Sequence, residues 1–499
     1  MSLKIAGTLA LLVLAALVIS PIWVVAYPPL LDYPNHLASS YVLAHLHDPS
    51  FPFDQWYGAK WGLYPYLAMD VSMRVLQWFL PVELAGRVYL SLMLLAFPLS
   101  TWFFLRQANP GQDSVALWGL VATHNIFFLL AFLNFYVAIC FSFLAMGLWL
   151  KWLARPRPLL WLQATAAVTA LFFSHLIAFA ITGIAVTGYG VMAHFRHEPG
   201  AGEAKAHSGT MLPLWQVLFP TWLMFAPGAA FYLLSSRVIE KQRSGLVFLT
   251  LHQKLTRMHA LMQGYSERLD YLTLAAFAAY FLLAWVGNRE VRWNRMWLAV
   301  SIILLVLYWG VPAAYGDGAD LDLRVLPILF AVLLAVVKPG RRGWYLAPLV
   351  LALFLLRVGN VVENYRAAQP ELAGLARSFA VTPRDVRVLP IVQAEPDTDP
   401  LLHSFAHFWA YGVIRKHWFS PYLFELRGLN PLVITQESYT LDGFWDLEYT
   451  ETPDWGDIQQ DYDYVWNYNA RQYDDGLAKI GVLIYSDGKL RMYRVRHPD

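Results

Sequence analysis

Residues 5–26 read IAGTLALLVLAALVISPIWVVA, and the chain continues as YPPLLDYPNH over residues 27–36. A helix rises about 1.5 Å per residue and a bilayer core is about 30 Å thick, so roughly 20 apolar residues are needed to cross it. The first run meets that length. Lys4 precedes it and no A-x-A type cleavage pattern follows, which reads as a retained helix rather than a signal peptide. Pro28 and Pro29 stop the helix, and Pro34 suits the first turn of the next one. Asp32 is thereby placed at a helix–helix junction, at the membrane surface.

The rest of the chain extends this pattern. With 58% hydrophobic and 14% charged residues, the 499-residue sequence is too apolar to present a soluble surface. A formal charge of +2 and the lack of a long basic run argue against nucleic acid as a partner. The single cysteine, Cys140, excludes an intramolecular disulfide and a cysteine-rich metal site. Apolar runs predict about eleven transmembrane helices near 4–26, 82–105, 114–131, 133–150, 159–173, 175–195, 213–234, 271–287, 296–312, 324–337 and 344–360.

Basic residues in short loops favour the cytoplasmic side. Lys151, Arg155 and Arg157 fall on one side, as do Arg289, Arg292, Arg295, Lys338, Arg341 and Arg342, whereas the loop from Gly316 to Asp322 is acidic. This predicts a cytoplasmic N-terminus and an extracytoplasmic C-terminus. One loop dissents: Lys241, Arg243, Lys254 and Arg257 fall on the outer side. Its apolar residues Leu246, Leu249, Leu255, Met258, Leu261 and Met262 suggest an amphipathic segment lying on the interface.

The expected organisation is a membrane domain over 1–360, with a long first outer loop at 27–81, followed by an outer α/β domain over 361–499. Helices are expected at Asn35–His47 and Pro65–Leu80 in the loop. In the C-terminal domain, strands are expected at 386–392 and 462–468, a helix at 401–416, and a hairpin at 482–495 whose turn is Asp487-Gly488. An acidic stretch comprises Asp442, Asp446, Glu448, Glu451, Asp454, Asp457, Asp461 and Asp463.

Asp32 is the first candidate for chemistry. A carboxylate there can act as a general base or bind a divalent cation such as Mg or Mn, and His36 follows one helical turn later. The alternative is that Asp32 caps the next helix. Arg324, after the acidic loop, can hold a phosphate through its forked donors or pair with Asp320 or Asp322. Tyr33, Asn35 and His175 are candidates to line a cavity, while His124 and Asn125 suit helix-to-helix hydrogen bonds. His403 and His407 share one face of the expected outer helix, a spacing that suits a metal if a third ligand is present.

The long loop opening with an acid, the many helices and the outer C-terminal domain resemble the GT-C superfamily of integral-membrane glycosyltransferases. The segments Leu31–Ala38, Phe132–Tyr136 and Ser174–Leu176 look like those of bacterial GT-C-like membrane proteins. The paired Asp-Glu of the protein O-mannosyltransferases is absent, since Tyr33 follows Asp32. The resemblance implies a bacterial inner-membrane enzyme that moves a sugar from a polyprenyl-phosphate donor to a glycan, lipid or protein acceptor on the outer face. By position, the loop-one acid of that superfamily maps onto Asp32. Two other classes compete. A secondary transporter would show repeats and mid-membrane carboxylates, and neither is visible. A non-catalytic scaffold of an envelope polysaccharide assembly would use the aromatic outer domain for docking.

Overall fold

A computed structural model describes residues 3–195, 213–235, 245–286, 293–315, 318–339, 343–393, 405–425, 430–441 and 452–497. The described chain is mainly helical. Five helices are long and apolar enough to cross a membrane: Val82–Ala108, Leu133–Ala154, Leu176–His194, Leu214–Ser235 and the helix beginning at Gly343. The first helix, Leu3–Trp23, and those at Pro158–Ser174, Arg295–Gly310 and Leu326–Val336 present shorter apolar stretches. Glu267–Val286 is also helical but starts with Glu267 and Asp270 in its first turn.

Val82–Ala108 shows why such runs become helices. Pro81 precedes it, Glu83 lies in its first turn and Arg106 in its last, the charge signs that the helix dipole favours. Leu133–Ala154 packs between this helix and Pro158–Ser174 and buries Phe135, Tyr136, Ile139, Phe143 and Met146. A Cβ on Gly147 would run into the Phe103 ring, so the close crossing needs glycine there.

The span expected at 114–131 is not one helix. It forms a 3-10 turn at Asp113–Leu117 and two short helices, Trp118–Val121 and Ile126–Leu129. Asn125 causes the restart: its side-chain oxygen accepts the N–H groups of Phe127 and Phe128, capping a new turn. His124 does reach another helix, with Nε2 3.0 Å from the Val18 carbonyl.

Two of the four basic residues of the dissenting loop, Lys254 and Arg257, have acidic partners. Strand β2 (Leu246–Val247) lies antiparallel to β3 (Ala314–Tyr315), just before the acidic loop, so the two segments share one face. Lys254 points its ammonium at the Tyr308, Trp309 and Val311 carbonyls, which end Arg295–Gly310, and Arg257 pairs with Asp320 and Asp322. The expected amphipathic stripe does not form as one helix. Thr250 starts a separate helix at Leu251–Arg257 with a capping box, leaving Leu246 and Leu255 exposed while Leu261 and Met262 are buried. Lys241, Arg243, Arg289, Arg292, Arg341, Arg342 and Asp317 lie outside the described residues.

In the first loop, helices occupy Tyr33–His45 and Ala68–Leu76. The second is shorter than expected because Asn134 clamps the chain before it. The Asn134 amide donates to Tyr66 O and accepts from Met69 N–H, both at 2.9 Å, and Tyr66 adopts a φ of 73°. Strand β1 (Tyr57–Ala59) pairs antiparallel with a C-terminal strand, β5 (Leu432–Ile434), placing the first loop and the C-terminal region on the same side.

The C-terminal region is built on an extension of the last long helix, which runs from Gly343 to Arg377 without a break at residue 360. Its sheet has the order β4-β6-β8-β7, with β4 (Val388–Val392) parallel to β6 (Tyr464–Tyr468) and the hairpin β7 (Gly481–Asp487) and β8 (Leu490–Val495) antiparallel. Trp466 donates to Ser378, Tyr468 to Glu371, and Tyr485 to the Gly374 carbonyl, so the sheet is fastened to the helix end. Of the helix expected over 401–416, Ala410–Lys416 forms, preceded by turns at 405–409. His403, Asp442, Asp446, Glu448 and Glu451 lie outside the described residues.

Candidate functional site

Two polar clusters meet at the short segment 130–135. The first surrounds Asp32, whose N–H donates to the Leu130 carbonyl at 3.2 Å. Asp32 occupies the N-cap position of Tyr33–His45 with φ −87°, yet its side chain makes no capping bond. The simple capping explanation therefore does not account for it. Its Oδ1 lies 3.4 Å from His407 Nε2, and burial pushes its carboxyl up from 3.8 to about 8. Burial also lowers His407 to about 3 and His36 to about 4. At neutral pH the imidazole is uncharged, so Asp32–His407 is a polar contact at 3.4 Å and not an ion pair.

The other sequence candidates of this cluster have definite places. The His36 ring packs edge-on against Phe424, with centroids 4.8 Å apart, and it is His407 that reaches Asp32. Asn35 is fully buried and serves as a tether, donating to Tyr422 O and accepting from Phe424 N–H. Tyr33 is buried against Val82–Ala108, in space left by Gly86, where a Cβ would meet its hydroxyl. A second clamp holds the C-terminal region in place: Arg415 pairs with Glu83 at 2.9 Å and donates to the Tyr27 hydroxyl at 2.6 Å.

The second cluster joins His175 and Arg324, which are 149 residues apart. His175 begins Leu176–His194, its Nδ1 accepting the Ile177 N–H at 3.2 Å, while Nε2 meets a terminal nitrogen of Arg324. The guanidinium lies over the Phe132 and Phe135 rings, 5.5 and 5.3 Å from their centroids, and donates to the Ala319 carbonyl. Tyr66 and Phe135 pack edge-on against the imidazole. Asp320 and Asp322, the alternative partners of Arg324, are engaged by Arg257 and Lys254.

This second cluster is short of acceptors. A neutral imidazole offers one donor and one acceptor nitrogen, and both ring nitrogens of His175 face N–H groups. Arg324 Nε, also buried, has no partner among the described residues. An oxyanion is the species that such a surplus of donors accommodates.

Metal fits less well. Among the described residues, no three or more His, Cys, Asp or Glu side chains gather to hold an ion. Among the described residues, the recorded neighbours of Asp32 are an imidazole and the Leu130 segment, a set short of the further oxygen ligands that Mg or Mn require. Sequence reasoning linked His407 only to His403 and so missed its contact with Asp32. No local spacing joins residues 32 and 407. The sequence matches no protein-family model and no curated protein.

Proposed function

We propose that the chain is a GT-C-like membrane glycosyltransferase, with about eleven transmembrane helices in a bacterial inner membrane, its N-terminus cytoplasmic and its C-terminal region outside. It moves a sugar from a polyprenyl-phosphate donor to an acceptor hydroxyl in cell-envelope glycan, glycolipid or glycoprotein synthesis. The observation that carries this reading is that Asp32 and the donor-rich cluster at Arg324 both contact residues 130–135. Asp32 is bonded to Leu130, and Arg324 lies over Phe132 and Phe135.

In this reading, the acceptor oxygen attacks the anomeric carbon as the bond from that carbon to the phosphate oxygen breaks. Ionised Asp32 takes the acceptor proton. The departing lipid phosphate keeps the bonding electron pair, and Arg324 with His175 stabilises its charge. No step runs through a metal. The test is to incubate purified protein with a panel of labelled polyprenyl-phosphate sugars and candidate acceptors. Release of lipid phosphate that depends on both Asp32 and Arg324 is expected. Release that survives Asp32→Asn and Arg324→Ala sinks the reading.

A further inference from the structure

The turns at 405–409 bring His407 to Asp32, and neighbouring bonds determine what its imidazole presents. Phe424 N–H donates to Asn35 Oδ1 at 2.9 Å, and Asn35 Nδ2 donates to Tyr422 O at 2.8 Å. The two backbone groups fix which way round the Asn35 amide sits. The same Nδ2 stands 3.3 Å from His407 Nδ1. Because an amide NH₂ can only donate, Nδ1 must accept. The ring proton is therefore on Nε2, the nitrogen 3.4 Å from Asp32 Oδ1. Phe424 packs edge-on against the imidazole at 5.2 Å, which holds the ring plane.

We infer that His407 is a positioning residue for Asp32: its Nε2–H, held in that tautomer by Asn35, orients the loop-one carboxyl and favours its ionised form. The C-terminal region thereby completes a site that the first loop begins. This assignment rests on Asp32 being the base of the proposed reaction. A neutral donor suits the task, since burial keeps the imidazole uncharged and the proton that Asp32 receives is not contested. Among the described residues, the titratable group recorded against Asp32 is His407, neutral above about pH 5.

The first test needs no functional variant. In ¹⁵N-histidine-labelled protein in nanodiscs, with His407→Gln used to assign the signal, His407 should be a neutral imidazole protonated at Nε2 at pH 7. A proton at Nδ1, or an imidazolium, overturns the inference. Infrared spectra of ¹³C-aspartate-labelled protein then follow the Asp32 carboxyl. His407→Phe keeps a ring but loses the donor, so the deprotonation midpoint should rise by about one unit or more, and turnover should fall roughly tenfold at unchanged donor KM. His407→Gln supplies an amide donor and should restore most of both. An unmoved midpoint in His407→Phe overturns the inference. If that variant does not fold, Asn35→Asp decides, because a carboxylate accepts from Nδ1–H and should switch the tautomer; an unswitched ring overturns the role given to Asn35. The spectra report on Asp32 and His407 directly, so they keep their meaning if Asp32→Asn retains turnover, a result that would remove the base and leave the hydrogen bond standing.

Discussion

Asp32→Asn separates the energetic role of this carboxyl from its chemical one. Burial lifts it from 3.8 to about 8. At about 1.4 kcal/mol per unit, the shift sets an upper bound of about 6 kcal/mol on the cost of holding Asp32 ionised in the folded chain. The side chain keeps 17% of its surface exposed, so the penalty falls below that bound. The sign follows from proton counting. Between roughly pH 4 and 8 the folded chain holds a proton that the unfolded chain has released, so this contribution is fully present below pH 3.8 and is lost as pH rises through about 8. Asparagine does not titrate. The variant should match wild type near pH 4 and exceed it at pH 9. Nothing is lost at the helix start, because the Asp32 side chain makes no capping bond. Unfolding midpoints in detergent across this range measure the first effect, and turnover at pH 8 the second, which should fall at least ~100-fold. Parallel stability profiles for the two proteins would refute the titration argument. Wild-type turnover in the variant would remove Asp32 from the chemistry.

The same carboxyl predicts the pH dependence of the reaction: kcat should rise about tenfold per unit until Asp32 ionises near pH 8 and then level off, and a flat profile from pH 6 to 9 would contradict it. Arg324→Lys keeps the charge but loses the planar group over Phe132 and Phe135, so donor KM should rise roughly tenfold, whereas unchanged donor affinity would show that this arginine does not hold phosphate. Arg357→Met strips the buried Asp270 of its 2.9 Å partner and should cost about 3–5 kcal/mol, read as a lowered unfolding midpoint. Because β1 pairs with β5, cysteines placed at Lys60 and Lys479 should react with an impermeant maleimide from the same side of sealed vesicles. Cys140 is buried and should contribute little background, and labelling from opposite sides would contradict the pairing.

What the sequence revealed depended on the range over which the deciding force acts. Long apolar runs announce helices because the period and the length are local properties, and Asp487-Gly488 marked the turn between β7 and β8 for the same reason. The break inside 113–129 was harder to see, since Asn125 is one polar residue in an apolar run and its capping bonds, not its hydropathy, end the helix. Partner choice was less legible again. Arg324 stands near Asp320 and Asp322 in sequence, which made an ion pair the natural alternative, yet those carboxylates go to Arg257 and Lys254 from a segment about 65 residues earlier. Asn35 could be named as a cavity candidate from the sequence, but its bonding partners, Tyr422 and Phe424, lie almost 400 residues on and could not be read there.

The pairing of buried and half-buried cations sharpens the case for the second cluster. Lys254, Arg257, Arg357 and Arg415 each meet a carboxylate: Asp322, Asp320, Asp270 and Glu83 respectively. Placing a cation away from water is tolerable when its charge and its hydrogen bonds are both met. Arg324 instead meets one carbonyl, two aromatic faces and an imidazole whose other nitrogen is already engaged by a backbone N–H. Rings and a carbonyl supply partial negative charge and Asp320 acts on the guanidinium only from a distance, so Arg324 Nε is left without an acceptor among the described residues. A purely structural arginine could have taken Asp320 or Asp322, both within four residues in the chain, and the fold gives those acids to other cations. The donors that Arg324 leaves unmet among the described residues are what the phosphate-holding role proposed above requires.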